Sequence, residues 1–176
     1  MRARIVSRIS DPQVEAQIYE LIRVINNQAT AMENMDLPFK TIEGGFSIEL
    51  INDTGAPSVK GTVVQASTNV DGGFQVAGAD SAIPIGIVYD SDVPNGALCR
   101  VVVSGQADVL LKDNTPAIRG NWVGVSDVAG RAWAGGTLHP GTLPPDQAEH
   151  NRELGHCLQS VTAGTNKLAR IVLHFN

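Results

Sequence analysis

A seven-residue repeat near the N-terminus is the feature that most constrains the fold of this chain. Its positions advance by four and then three residues, which places them on one face of an α-helix. They are Val14, Ile18, Leu21, Ile25, Gln28, Met32 and Met35. We name this set the helix seam. It predicts a helix that buries one face in an oligomer or in packing.

The residues around the helix seam predict where the helix begins and ends. Ser10 and Gln13 match a capping box, in which each side chain bonds an otherwise unpaired backbone amide, and Pro12 suits the first turn. Pro38 prevents continuation because it lacks an amide donor and restricts the residue before it. We therefore predict an amphipathic helix within residues 11–36.

A helix of this length is marginally stable alone in water, and it contains the poor helix formers Asn26, Asn27 and Thr30. It therefore needs a surface to lie on. One alternative is the same helix in other subunits. The other is the remainder of its own chain, because Ile22 and Val24 widen the apolar stripe. Both alternatives stay open from the sequence.

Beyond residue 40 the apolar residues alternate in short runs separated by turn-forming clusters, a pattern typical of β-strands. The candidate strands are residues 46–51, 59–66, 83–89, 98–104, 107–111, 121–125, 155–160 and 168–175. Short strands at this spacing predict an antiparallel sandwich or a barrel-like body. The predicted fold class is mainly β, with one N-terminal amphipathic α-helix before a β-rich body over residues 41–176.

Two segments lack regular patterning. Residues 1–10 contain three arginines and no acidic residue, which predicts an extended basic arm. A frayed terminus is the alternative. The residues of this arm expected to contact a partner are Arg2, Arg4, Ile5, Val6 and Arg8. Residues 133–148 are rich in Gly and Pro and predict a long surface loop, with Trp133 at its base to anchor the loop or a neighbouring subunit.

Composition limits the classes of function. Charged residues make up 18% of the 176 residues, which is low for a free monomer and favours partners. The net charge is −5, and its acidic excess lies beyond residue 40, which argues against a nucleic-acid partner. The chain lacks an apolar run of about 18 residues and a signal-peptide pattern, so we expect synthesis in the cytoplasm and no membrane partner. Cys99 and Cys157 lie in strand-like sequence and are interpreted as buried reduced thiols.

No strong catalytic signature appears, since GxGxxG, GxxxxGK[ST], HExxH, GxSxG and CxxC are all absent. The densest polar cluster is Glu149, His150, Arg152, Glu153 and His156. A carboxylate–imidazole metal site can be drawn there on a helix, but a glycine at position 155 interrupts such a helix. We therefore interpret the cluster as a solvated turn that leads into the predicted strand 155–160.

His174 is interpreted as a packed or cross-strand histidine, because it lies inside the last strand-like run. From the residues alone we assign no catalytic, cofactor-binding or metal-binding side chain.

Several blocks of the β-rich body resemble head-associated proteins of tailed bacteriophages. They are IPIGIVYD (83–90), PNGA (94–97), VVVSGQADVLL (101–111), GNWVGVS (120–126), GHCL (155–158) and ARIVLHFN (169–176). The resemblance implies a capsid decoration, or cement, protein without catalytic residues or cofactors. Such a protein binds the outside of an assembled head, commonly as a homotrimer, with the major capsid protein as its partner. The N-terminal helix departs from the smallest decoration proteins, which have a simpler extended arm.

The residues and the resemblance together predict a virion structural protein that decorates and stabilises a bacteriophage capsid through symmetric oligomeric binding to the head surface. It would be made in the host cytoplasm and act on the capsid surface, and it would not be an enzyme. One alternative is a head-fibre base or a tail structural protein. Another is a metal-dependent hydrolase or glycan-binding β-domain, using Glu149, Glu153 and His156 or the loop that begins at Trp133.

Overall fold

The computed structural model describes residues 12–33, 39–134 and 151–174. The chain divides into two compact units, Met1–Leu37 and Pro38–Asn176. The first contains helix α1 (Pro12–Glu33), and the second contains the β-strands. The protein is therefore mainly β with an N-terminal α-helix, and the predicted fold class is confirmed.

Helix α1 begins where the sequence predicts. Pro12 is its first residue, a position where the missing amide hydrogen costs nothing because that amide has no partner within the helix. Ser10, the predicted cap, lies outside the described residues. The described helix reaches Glu33, close to the predicted end. On its exposed surface the Arg23 guanidinium pairs with the Glu20 carboxylate at 2.7 Å.

The described body contains ten strands. They are β1 (Phe39–Lys40), β2 (Gly45–Asn52), β3 (Val63–Ala66), β4 (Gly73–Val76), β5 (Gly86–Val88), β6 (Leu98–Leu110), β7 (Trp122–Val125), β8 (Ala132–Trp133), β9 (Glu153–Cys157) and β10 (Leu168–Leu173). The sequence pattern does not predict β1, β4 or β8. Strands β1 and β8 have only two residues each, and β4 begins at Gly73 in a glycine-rich cluster typical of a turn. The predicted strands 98–104 and 107–111 are one strand, because strand pairing continues across Gly105, which pairs with both β2 and β10 although its φ is positive.

Strands β2, β4, β3, β5 and β6 close into a ring, because β6 pairs with both β5 and β2. A closed ring leaves no unpaired edge between its members, as in the barrel-like alternative. The pairing of β2 with β4 is parallel, contrary to the all-antiparallel expectation. The reason is that β3 lies between them in sequence, so the chain reverses twice. Inside the ring lie Val64, Phe74, Val88, Cys99 and Val101.

The second half of β6 carries a further group of strands in the order β10, β9, β7 and β8. Leu111, just beyond β6, bridges Ala132 of β8, so this group also returns to β6. The larger hydrophobic cluster belongs mostly to these strands, and Val63 and Ile87 join it from the ring. The long strand β6 therefore belongs to both groups and links their cores.

Both cysteines are buried and neither forms a disulfide, which confirms the interpretation of reduced thiols. Cys99 lies in the ring cluster, whereas Cys157 lies in the larger cluster. Burial raises the pKa of each thiol above its ordinary value, so both stay protonated and behave as small apolar side chains.

Candidate functional site

The helix seam presents apolar side chains to solvent. Val14 is 42% exposed, Leu21 60% and Ile25 54%, while Ile18 is half-buried. The remaining seam residues lie outside the described side chains; they are Gln28, Met32 and Met35. The described part of the seam is therefore available to another surface.

Apolar side chains beside the seam are exposed as well. Ile22 is 46% exposed and Val24 is 43% exposed. Burying apolar area is favourable by about 25 cal/mol per Å², and contiguous exposed patches of this kind mark interaction sites. No helix among the described residues is both long and apolar enough to cross a membrane.

The basic arm, with Arg2, Arg4, Ile5, Val6 and Arg8, lies outside the described residues. Its role as a contact to an acidic partner stays a prediction.

A second apolar surface lies on β2. Leu50 packs against the ring cluster, and Ile48 and Phe46 continue the same face of the strand. Ile48 lies opposite the buried Val101, yet it is 39% exposed, and Phe46 is 44% exposed. We name Phe46 and Ile48 the β2 patch. It continues the face of the ring interior into solvent, and the alternating sequence pattern by itself assigns these positions to the core.

A cleft of about 280 Å³ lies beside β7 and β8. Its charged and aromatic lining residues are Asp80, Lys112, Trp122, Asp127, Trp133 and Arg152. The two indole rings meet edge to face with centroids 5.9 Å apart. Trp133 lies in β8 and is 40% exposed, so the first residue of the predicted loop belongs to a strand. The rest of that loop, from residue 135, lies outside the described residues.

The charges of this cleft are paired. Arg152 Nη1 lies 3.1 Å from Asp80 Oδ1, and Lys112 Nζ lies 2.8 Å from Asp127 Oδ1. The Lys112 hydrogen bond lowers the pKa of Asp127 below its ordinary value. Because each of these charges has an opposite partner, the part of the cleft lining that the structure describes carries no excess charge with which to select a charged ligand.

The predicted polar cluster divides between described and undescribed residues. Glu149 and His150 lie outside the described part of the chain, whereas Glu153 and His156 lie in β9. The solvated-turn interpretation is wrong for Glu153, which is buried and pairs with Gly124 of β7. His156 lies in a strand, as the predicted strand 155–160 implies.

His174, which follows β10, completes a group with Glu153 and His156. His156 Nδ1 lies 2.8 Å from His174 Nε2, and His174 Nε2 lies 3.3 Å from Glu153 Oε1. One potential ligand atom from each of the three residues lies within 4.8 Å of the others. His174 lies one residue beyond β10 and not inside the strand, but the predicted cross-strand contact is present, since its ring stacks on that of His156 with centroids 5.0 Å apart.

No model of a protein family matches this chain, and no curated protein matches it.

Proposed function

We propose that this protein is a virion structural protein that decorates and stabilises a bacteriophage capsid. It binds the head surface as a homotrimer, with the major capsid protein as its partner. The observation that carries the proposal is the apolar surface left in water, on α1 at Leu21 and Ile25 and on the body at the β2 patch. A protein that works by being covered by neighbours needs such surfaces.

The free energy gained by burying these apolar side chains favours binding through many repeated contacts over binding through a single strong one. Fully burying a large apolar side chain is worth about 1.5–3 kcal/mol, so half-exposed ones contribute about half of that. Association costs on the order of 4–15 kcal/mol in lost freedom of motion, which one such side chain cannot offset. Several side chains per subunit, repeated around a symmetric oligomer on a repeating shell, exceed this cost through avidity.

The resemblance to head-associated phage proteins supports the capsid surface as the place where the protein binds. All of its blocks except 94–97 overlap strands β5, β6, β7, β9 or β10, which form most of the buried core. These blocks are packing patterns rather than catalytic motifs, and a packing resemblance supports a shared body architecture. In this proposal the body contacts the shell, and the helix seam either joins subunits or packs within one.

The decisive experiment combines light scattering with capsid binding. The purified chain is expected to have the mass of a trimer and to co-sediment with expanded heads, and the heads should resist heating better when it is bound. Heads already saturated with unlabelled protein provide the control for non-specific sedimentation. A strict monomer that does not bind expanded heads would contradict the proposal.

A position elsewhere on the virion is a distinct alternative. A trimer of this kind at a fibre base or in the tail would have the same mass in solution. Electron microscopy of particles carrying a tagged chain separates these positions, since decoration predicts density repeated over the head surface.

The glycan-binding alternative has one observation in its favour, the half-exposed indole of Trp133 beside the cleft. Aromatic faces bind sugars by stacking, and the paired charges of the cleft suit a neutral ligand. A glycan array is the test. Binding that is lost in Trp133→Ala would establish this function, and an array without signal would remove it.

A further inference from the structure

Glu153, His156 and His174 form a group whose donor atoms converge. The Glu153 carboxylate is buried, with 7% of its side chain exposed, whereas the His174 side chain is 43% exposed. The group therefore has a buried anionic side and a side open to solvent.

A β-bulge places two members of the group on one face. Val123 of β7 lies opposite Gly155 and Gly124 lies opposite Glu153, so Leu154 is the extra residue in β9. Residues three apart in a regular strand point to opposite faces. The extra residue changes this alternation, and Glu153 then shares a face with His156.

The third member comes from the neighbouring strand. Val172 lies opposite His156 in the β9–β10 pairing, and residues directly opposite share a face. His174 is two residues beyond Val172 and therefore returns to that face. Its amide donates a hydrogen bond to the carbonyl of Leu154 at 3.1 Å, which holds the chain in register beyond the end of β10.

We propose that Glu153 Oε1, His156 Nδ1 and His174 Nε2 bind one divalent transition-metal ion of the Zn²⁺ class. Two imidazoles and one carboxylate are a three-ligand set that zinc accepts, with a fourth position left for water or another donor. Two ligand atoms on a tetrahedral zinc lie roughly 3.3 Å apart, which matches the 3.3 Å between Glu153 Oε1 and His174 Nε2. The 2.8 Å distance between His156 Nδ1 and His174 Nε2 would lengthen by about 0.5 Å when the ion binds. Imidazole ligands disfavour Mg²⁺ and Ca²⁺, which prefer oxygen donors.

The bound ion would tie the end of β10 to β9. The ion would join side chains of the two strands beside the hydrogen bond that the His174 amide donates to the Leu154 carbonyl. An ion that binds the folded chain alone stabilises it in proportion to its occupancy. The bound ion therefore stabilises the pairing of β9 with β10. This proposal does not depend on whether the protein binds a capsid.

The test titrates ZnCl₂ into the chelator-treated full-length chain by calorimetry and records thermal unfolding with and without the ion. We expect one Zn²⁺ per chain and a higher Tm with zinc. The variants Glu153→Gln, His156→Ala and His174→Ala should lose both effects. The matched control is the double variant His139→Ala with His150→Ala, which removes the other two histidines of the chain and should keep both effects.

A second measurement does not depend on the folding of the variants. Co²⁺ added to the wild-type chain should give the visible absorption of a tetrahedral or five-coordinate site at one equivalent, and Zn²⁺ should displace it. The proposal fails if the folded wild-type chain binds no Zn²⁺. It fails equally if folded His156→Ala and His174→Ala retain the stoichiometric ion, or if the control double variant loses it.

Discussion

Gly155 shows how much of this fold depends on a single residue. Its φ of 145° is in the region that side chains disfavour, and a Cβ atom there would overlap the carbonyl oxygen of Val172 in the adjacent strand. Only glycine permits β9 and β10 to approach this closely while β9 accommodates its bulge. Gly124 is comparable, since a Cβ atom there would overlap the ring of Trp122.

Replacing Gly155 by alanine is expected to destabilise the chain by roughly 3 kcal/mol or more, because backbone strain and overpacking each cost about 1–3 kcal/mol. Urea unfolding measures the change in the free energy of unfolding. Gly78→Ala is the control, since its φ is not positive and its Cβ atom meets open space. Equal stability of the two variants would show that β9 and β10 do not pack as closely as described.

The ion pair of Asp90 with Arg100 should make the stability of the fold depend on pH. Arg100 Nη2 lies 2.6 Å from Asp90 Oδ1, and the Arg100 hydrogen bond holds the pKa of Asp90 below its ordinary value of 3.8. Because the pKa is lower in the folded chain, the pair stabilises the fold fully above 3.8, and this stabilisation is lost as the pH falls through the folded value.

The variant Asp90→Asn should therefore cost about 1 kcal/mol at pH 7, a modest value because the pair is partly exposed and screened by water. The difference in the free energy of unfolding between wild type and variant should shrink as the pH is lowered below 4. Asp71→Asn, on an exposed turn, is the control and should track wild type throughout. A difference that stays constant with pH would contradict the assignment.

Among the elements, the sequence pattern predicts the whole of α1 but only part of β6. The heptad pattern and Pro12 predict α1 because helix formation depends on residues three or four apart. The alternation also predicts a strand at β6, but not its continuation through Gly105, because this depends on partners from β2 and β10. The seam side chains of α1 are exposed enough to form an interface between subunits.

The double substitution Ile18→Asp with Ile25→Asp should abolish the oligomer if the helix seam joins subunits, because it places unpaired charge in each interface. Light scattering reports the mass and circular dichroism reports folding. The control is Tyr19→Asp with Asn26→Asp, which adds the same charge at the same seven-residue spacing one position around the helix. An unchanged oligomer that is merely less stable would assign the seam to packing within one chain.

At the scale of the whole molecule, the charges are unevenly distributed. The first ten residues carry arginines and no acids, whereas the body carries the net acidic excess. A basic arm suits an acidic or strand-edge surface on a partner and would add to the weaker apolar contacts of the body.

Deleting residues 1–9 should weaken binding to heads while leaving the Tm of the chain unchanged, because the described core lies elsewhere. Co-sedimentation at several protein concentrations measures the affinity. Replacing Arg2, Arg4 and Arg8 by glutamine, as a companion variant, separates charge from strand addition. Equal affinity after deletion would rule out the arm as a contact.

The sequence by itself determined the local features of this protein: a helix beginning at Pro12, a body of short strands, and two buried thiols at Cys99 and Cys157. These follow from periodicity and turn chemistry, which act over a few residues. Only the tertiary structure decided the closure of the ring through β6, the parallel pairing of β2 with β4, and the meeting of His174 with Glu153. These depend on which strands pair across long separations and on a one-residue bulge, and the hydrophobic pattern of a strand is compatible with many partners and registers.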